Sequence, residues 1–200
     1  MVVKNLEKFK KLQNLLKRTV FRASEAKDIG VSPSLLSYYV KIGLLERVDR
    51  GVYRGKNGTL DVDFQWEDLV LVIKSIPDGV ICLISALALY DLTDEIPRAY
   101  WIAVENSSRA PKRKGAKIVR MRNMNLGKTT LKIGSELIPI FDRERTIVDA
   151  FRYLGKETAI KALKDALAKK GEEKIDLRKL QDYAKKLRVK IDPYILAVTT

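Results

Sequence analysis

Residues 31–55 read VSPSLLSYYVKIGLLERVDRGVYRG. Ser32 is a good helix N-cap, Pro33 suits the first helical position, and Gly43 can supply the stop, so a helix is predicted between them. Along it, Leu35, Leu36, Tyr39 and Val40 fall on one side. Ser34, Ser37, Tyr38 and Lys41 fall on the other. Immediately after it, "LLERV" and "GVYR" have strand character around "DRG", and Gly51 suits a positive-φ turn position. A helix followed at once by a tight hairpin is the pattern of a recognition helix and its wing.

Upstream residues complete that pattern. In "KNLEKFKKLQNLLKR", Leu6, Phe9, Leu12, Leu15 and Leu16 recur at helical spacing, which predicts a first amphipathic helix. "ASEAKDIG" predicts a short second helix, with Ser24 as its cap and Gly30 as its left-handed exit. Helix, short helix, turn, helix and hairpin make a winged helix-turn-helix. Short hydroxyls allow close approach in a major groove, and longer donors reach base edges and phosphates. Ser34, Ser37, Tyr38 and Lys41 are therefore candidate DNA contacts, with the helix N-terminus at Ser32 offering its dipole to a phosphate. Arg47, Arg50 and Arg54 on the wing are candidates for backbone or minor-groove contact. The competing reading of the helix is an ordinary solvated polar face.

Composition agrees with an anionic partner. The 200 residues carry a net charge of +14, with 46% apolar and 32% charged residues. Such a chain can bury a core, and its charge favours nucleic acid or another polyanion. There is no histidine and one cysteine, Cys82, which excludes histidine-based triads, histidine-bound metals and an internal disulfide. Cys82 lies in an apolar run and reads as a small buried hydrophobe. The N-terminal stretch lacks a signal-peptide core and no apolar run has membrane-spanning length, so a cytoplasmic protein without membrane contact is expected.

Charge divides the chain. Residues 1–60 hold 13 basic and 5 acidic groups, whereas residues 61–100 hold 2 and 8. The change coincides with the turn cluster "GKNGTLD", so two domains are expected, 1–60 and 61–200. In the second, "WEDLVLVIKSI" and "VICLISALALYDL" read as helices. "AYWIAV", "KIVRMR", "TTLKIG" and "LIPIF" read as strands. "RERTIVDAFRYL", "ETAIKALKDALAKK" and "DLRKLQDYAKKL" read as further helices. The fold class expected is α+β: a winged helix followed by a mixed domain with a helical tail. Arg145 and Asp149, four apart, are expected to form a surface or half-buried ion pair. Asp94 and Glu95 read as a solvated pair at a helix end.

No catalytic or metal-binding residue is assigned and no cofactor is expected. "LGKTT" lacks the spacing of a phosphate-binding loop. The densest basic run, residues 109–122, contains Lys112, Arg113, Lys114, Lys117, Arg120 and Arg122. It is either a solvated hairpin loop or a contact surface for nucleic acid or an acidic partner. In "KIVRMR" strand alternation puts Lys117, Val119 and Met121 on one face, and the run is expected to be an edge strand or hairpin arm.

"SEAKDIGVSPSLLSYYVKIGLLERVDRGVYR" resembles the N-terminal winged helix of the AbiEi family, the antitoxins of type IV toxin–antitoxin systems. "ISALALYDLTDEIPRAYWIAV" and "RERTIVDAF" are similar to two further blocks of that family, although Asp91 stands where its members usually carry glycine. The resemblance implies binding of the chain's own promoter by the N-terminal domain, with a homodimer on DNA as one arrangement. It also implies antitoxicity through the C-terminal domain, directly or indirectly, against a nucleotidyltransferase toxin. The alternative is a winged-helix regulator whose second domain senses a small ligand or binds another protein.

Overall fold

In the computed structural model, residues 9–56, 62, 64–110 and 112–199 are described. Leu6 of the first helix and residues 57–61 of the turn cluster lie outside them. The chain divides into two compact units, residues 1–77 with 133–136, and residues 78–132 with 137–200. The fold is mixed α+β: a winged helix, then a mixed domain that ends in a helical tail.

The first unit contains α1 (Gln13–Leu16), β1 (Phe21–Arg22), α2 (Ala23–Asp28), α3 (Pro33–Lys41), β2 (Leu45–Asp49), β3 (Val52–Gly55) and α4 (Phe64–Ser75). The predicted first helix is interrupted among the described residues: residues 9–10 are helical, 11–12 form a turn, and the helix resumes at Gln13. The Leu12 N–H bonds to the Phe9 carbonyl at 2.9 Å, three residues back, before the ladder resumes with Leu16 to Leu12 at 2.8 Å. A three-residue turn aligns Phe9, Leu12 and Leu15, and both leucines reach the core. Ser24 does not cap α2. The cap position is Arg22, whose N–H donates to the Glu25 carboxylate at 2.7 Å, so Glu25 supplies the closing bond and Ser24 points outward from the first turn.

Gly30 exits α2 at φ 82° and Gly43 exits α3 at φ 74°. Both turns need the left-handed region that glycine enters at little cost. β1 was not legible as a strand. It pairs antiparallel with β3, Phe21 opposite Tyr53 and Arg22 opposite Val52, and makes a three-stranded sheet of order β1-β3-β2. Phe21, Ala26, Val31, Leu35, Leu36, Tyr39, Leu45 and Tyr53 share one core.

The second unit is a five-stranded sheet with helices. Its strands are β4 (Val80–Ile81), β5 (Tyr100–Glu105), β6 (Ala116–Met121), β7 (Lys128–Ile133) and β8 (Glu136–Phe141), in the order β6-β5-β4-β8-β7. Helix α5 (Leu83–Leu89) follows β4, and α6 (Arg143–Tyr153), α7 (Lys156–Ala168), α8 (Leu177–Leu187) and α9 (Asp192–Thr199) follow β8. The run "VICLISALALYDL" is thus not one helix. Val80 and Ile81 pair with Ala103 and Ile102 of β5, and Ile81 pairs in parallel with Ile140 of β8. A centre strand buried on both sides carries no alternation, so periodicity cannot tell it from a buried helix. No helix among the described residues is long and apolar enough to cross a membrane.

Candidate nucleic-acid interface

Helix α3 is fixed at both ends and along one side. The Ser32 hydroxyl accepts from the Leu35 N–H at 3.3 Å and Pro33 occupies the first turn. Leu35, Leu36 and Tyr39 are buried, and the Tyr39 ring meets Phe9 edge-on at 5.0 Å. Burial pushes the Tyr39 phenol up from its ordinary value, with the neighbouring Tyr38 adding to it. Locking these three leaves Ser34, Ser37 and Lys41 exposed on the opposite side. Tyr38 behaves differently. It is half-buried, tilts against Tyr39 at 5.9 Å and packs on the core, so only part of it is offered outward.

The wing is β2, β3 and the turn at Arg50–Gly51, where Gly51 has φ 72°. Arg47 sits opposite Tyr53, but Asp49 sits opposite Val52, so Val48 is an extra residue in β2. A bulge there strengthens the local twist and re-aims the neighbouring side chains. Arg47 and Arg50 are exposed, the first with Nε 3.4 Å from the Asp49 carbonyl. Arg50 donates its backbone N–H to the Asp49 carboxylate at 2.5 Å, which shapes the turn. Arg54 is engaged elsewhere: its Nε lies 2.8 Å from Glu46 and its Nη1 3.7 Å from Glu67 of α4. Two carboxylates neutralise that guanidinium, so its work is to brace the wing.

A helix with a small hydroxyl-bearing outer face, followed by an arginine-tipped hairpin, thus lies within one unit. Residues 10–54 match the family model described as "Transcriptional regulator, AbiEi antitoxin". The likeness to that family model is confined to this segment. The match contains α1 to α3 and nearly all of the wing. The crystal structure of the RV2827C protein from Mycobacterium tuberculosis is similar in fold, with 14% identity and a TM-score of 0.57. That likeness covers 92% of this chain and 71% of that one. No curated protein matches the chain.

Beyond the matched segment, the basic run of the second unit has a definite place. β6 is an edge strand, but it pairs with β5 in parallel, Tyr100 opposite Ala116 through Glu105 opposite Met121, so it is no hairpin arm. Residues 106–110 and 112–115 belong to the crossover. Met121 is buried and Val119 packs beside it, while Lys117, on the same face, lays its ammonium 3.5 Å over the Trp101 ring. Lys112, Lys114, Arg120 and Arg122 are exposed and Arg113 is half-buried; Arg120 donates to the Ser108 carbonyl at 3.3 Å.

The block "RERTIVDAF" is structural. Arg145 and Asp149 are fully buried, Nε to Oδ2 at 2.7 Å, which corrects the expected surface or half-buried pair. Arg145 also donates to the carbonyls of Asn123 at 2.9 Å, Leu126 at 2.8 Å and Arg122 at 3.4 Å. Its guanidinium stands 4.5 Å over the Phe141 ring. Four of its five donors thus meet a carboxylate and three carbonyls, which compensates a buried charge whose isolated burial would be prohibitive. Thr146 is buried and donates to the Phe141 carbonyl at 3.2 Å. Burial pushes the Asp149 carboxyl up, against the opposing pull of Arg145 and Arg152. Cys82 is buried, and its thiol is pushed well up by burial and by Asp149. The acids Asp94 and Glu95 are exposed, and Asp94 pairs with Lys161.

Proposed function

We propose that the chain is a DNA-binding autorepressor and antitoxin. Residues 1–60 bind operator DNA in the chain's own promoter, with α3 in the major groove and the wing on the sugar-phosphate backbone or in the minor groove. Residues 61–200 counteract a nucleotidyltransferase toxin. The observation that carries the reading is that Ser34, Ser37 and Lys41 of α3 and Arg47 and Arg50 of the wing are all exposed, within the segment that matches the AbiEi family model. Ser34 and Ser37 are short enough to let α3 approach base edges, and Tyr38 adds the outward part of its ring. Lys41, Arg47 and Arg50 supply phosphate charge. Ser32 acts by holding the helix N-terminus, whose free N–H groups suit a phosphate oxygen. Arg54 acts by holding the wing.

The test is a gel shift on the chain's own promoter against random duplex of equal length. The expected result is preferential retention of the promoter, with affinity falling roughly 10³- to 10⁵-fold between about 50 and 200 mM salt if two protomers make about 6 to 10 phosphate contacts. Equal affinity for both duplexes overturns operator recognition.

A further inference from the structure

A second basic site lies in the second unit, on the helical tail. Phe151 and Arg152 of α6, Lys156 of α7, Arg188 and Lys190 from the α8–α9 connection and Tyr194 of α9 line a pocket of about 270 Å³. No carboxylate lines it. Elsewhere on the tail some lysines meet acids, Lys161 with Asp94, Lys169 with Asp91 and Glu173, Lys179 with Asp142 and Glu144, Lys186 with Asp182, and others, such as Lys164 and Lys185, do not among the described residues. Lys156, Arg188 and Lys190 have no carboxylate partner among the described residues. Arg152 is oriented by Asp149 at 3.4 Å. Three unmatched cations converging on one concavity repel one another, and an anion placed between them relieves that repulsion.

The backbone adds an independent observation. Arg188 closes α8 at φ 58° and ψ 45°, the left-handed conformation for which glycine or asparagine is the usual choice. The Val189 N–H bonds to the Ala184 carbonyl at 2.8 Å, so the turn itself is made by main chain and does not need an arginine. A strained position filled by a long cation is explained when the side chain has work outside the fold. One wall of the pocket is apolar: the Phe151 and Tyr194 rings lie 4.9 Å apart at 34° and are half-buried.

We propose that this pocket binds the diphosphate end of a small organic phosphate of the nucleoside diphosphate class. Arg188, Lys156 and Lys190 take the phosphate oxygens, Arg152 sits at the rim, and the Phe151–Tyr194 wall takes the ring-bearing remainder. The volume admits a diphosphate and part of a nucleoside, not a folded partner. The site lies outside residues 10–54 and does not depend on promoter binding.

The experiment is titration calorimetry of the full chain with ADP, inorganic pyrophosphate and adenosine at about 100 mM salt. The expected order is ADP tighter than pyrophosphate, with no binding of adenosine. Arg188→Gly removes the cation while keeping the turn's preferred residue. It should leave Tm unchanged or raised and weaken ADP by about tenfold or more, the loss of one charge-assisted contact. Lys156→Gln and Lys190→Gln should weaken it similarly, whereas Lys41→Ala on α3 should not. Absence of binding by both diphosphates overturns the proposal, as does unchanged ADP affinity in Arg188→Gly. Retention of a short single-stranded oligonucleotide at this face without any affinity for ADP assigns the surface to nucleic acid instead.

Discussion

A Cβ on Gly127 would stand 2.6 Å from the Cβ of Arg145. The loop therefore runs against the backbone side of the arginine whose guanidinium is clamped by that same loop's carbonyls. The Gly127 carbonyl accepts from the Asp142 N–H at 2.7 Å, and Asp142 caps α6 through the Arg145 N–H at 2.8 Å. Gly127 also has φ 70°. Gly127→Ala must pay twice, in left-handed backbone and in overpacking. The expected loss is about 2 to 4 kcal/mol. Urea denaturation followed by far-UV circular dichroism measures it, and a loss under about 0.5 kcal/mol, the range of ordinary surface changes, contradicts the lock.

Tyr90 gives a pH-dependent signature. Its hydroxyl donates to the Phe141 carbonyl at 2.9 Å, and its ring lies under the Arg143 guanidinium at 4.8 Å. Burial holds the phenol well above its ordinary value of 10.0, with Arg143 pulling the other way. A raised folded value means that the unfolded chain loses its proton first. The contribution is thus fully present below about pH 10 and shrinks above it, by about 1.4 kcal/mol per pH unit. Tyr90→Phe should cost about 1 kcal/mol at neutral pH. Above about pH 10 the gap between wild type and variant should close, and stability curves from pH 7 to 11 read it directly. A gap that stays constant to pH 11 removes Tyr90 as the cause.

The division of labour between the units is open to test. Lys41→Ala with Arg50→Ala removes two exposed cations from α3 and the wing. The salt slope of promoter binding should fall by about 2, repression of a promoter reporter should weaken, and Tm should move by less than about 0.5 kcal/mol equivalent. Protection of cells expressing the toxin should persist. Loss of protection in a folded double variant contradicts the separation. Tyr38→Ala is the poorer probe, because its ring also packs on the core.

Local chemistry made some elements legible and long-range pairing hid others. Ser32 acts through a capping hydroxyl that accepts from an N–H three residues on, and Pro33, Gly43 and Gly51 through their own backbone, so α3 and the wing could be placed from residue types alone. β1 is two residues whose strand character exists only because Tyr53 and Val52 lie opposite them. The Arg145–Asp149 spacing is the same for a solvated pair and a buried one; the burial comes from carbonyls more than 18 residues away. α9 was not foreseen at all. Asp91 stands where the resemblance leads one to expect glycine. It sits at φ 54°, a conformation aspartate tolerates better than most residues, and its carboxylate pairs with Lys169 at 2.7 Å. On α3 and the wing, the sequence identified the outward serines and Lys41, but it could not see that Glu46 and Glu67 occupy Arg54.

The basic run on β6 separates into residues with different work. Lys117 lies over Trp101, its direct neighbour across the parallel ladder, and covers the rim of the Met121–Phe141 core. Arg120 is tied to the crossover through Ser108. Lys112 and Lys114 are exposed at the crossover's end and Arg122 beyond β6, so these form the part of the run available to a partner. Lys112→Ser with Lys114→Ser should therefore leave the unfolding free energy within about 0.5 kcal/mol of wild type. Lys117→Ser should cost about 0.5 to 1 kcal/mol, the value of an exposed cation on an indole. If the run is an antitoxic or second nucleic-acid surface, the double variant lowers rescue of toxin-expressing cells or reduces the salt slope of DNA binding by up to about 2. Lys117→Ser then changes stability more than rescue. Rescue and salt slope both unchanged in the double variant assign the crossover to a solvated loop, with Lys117 as a packing residue only.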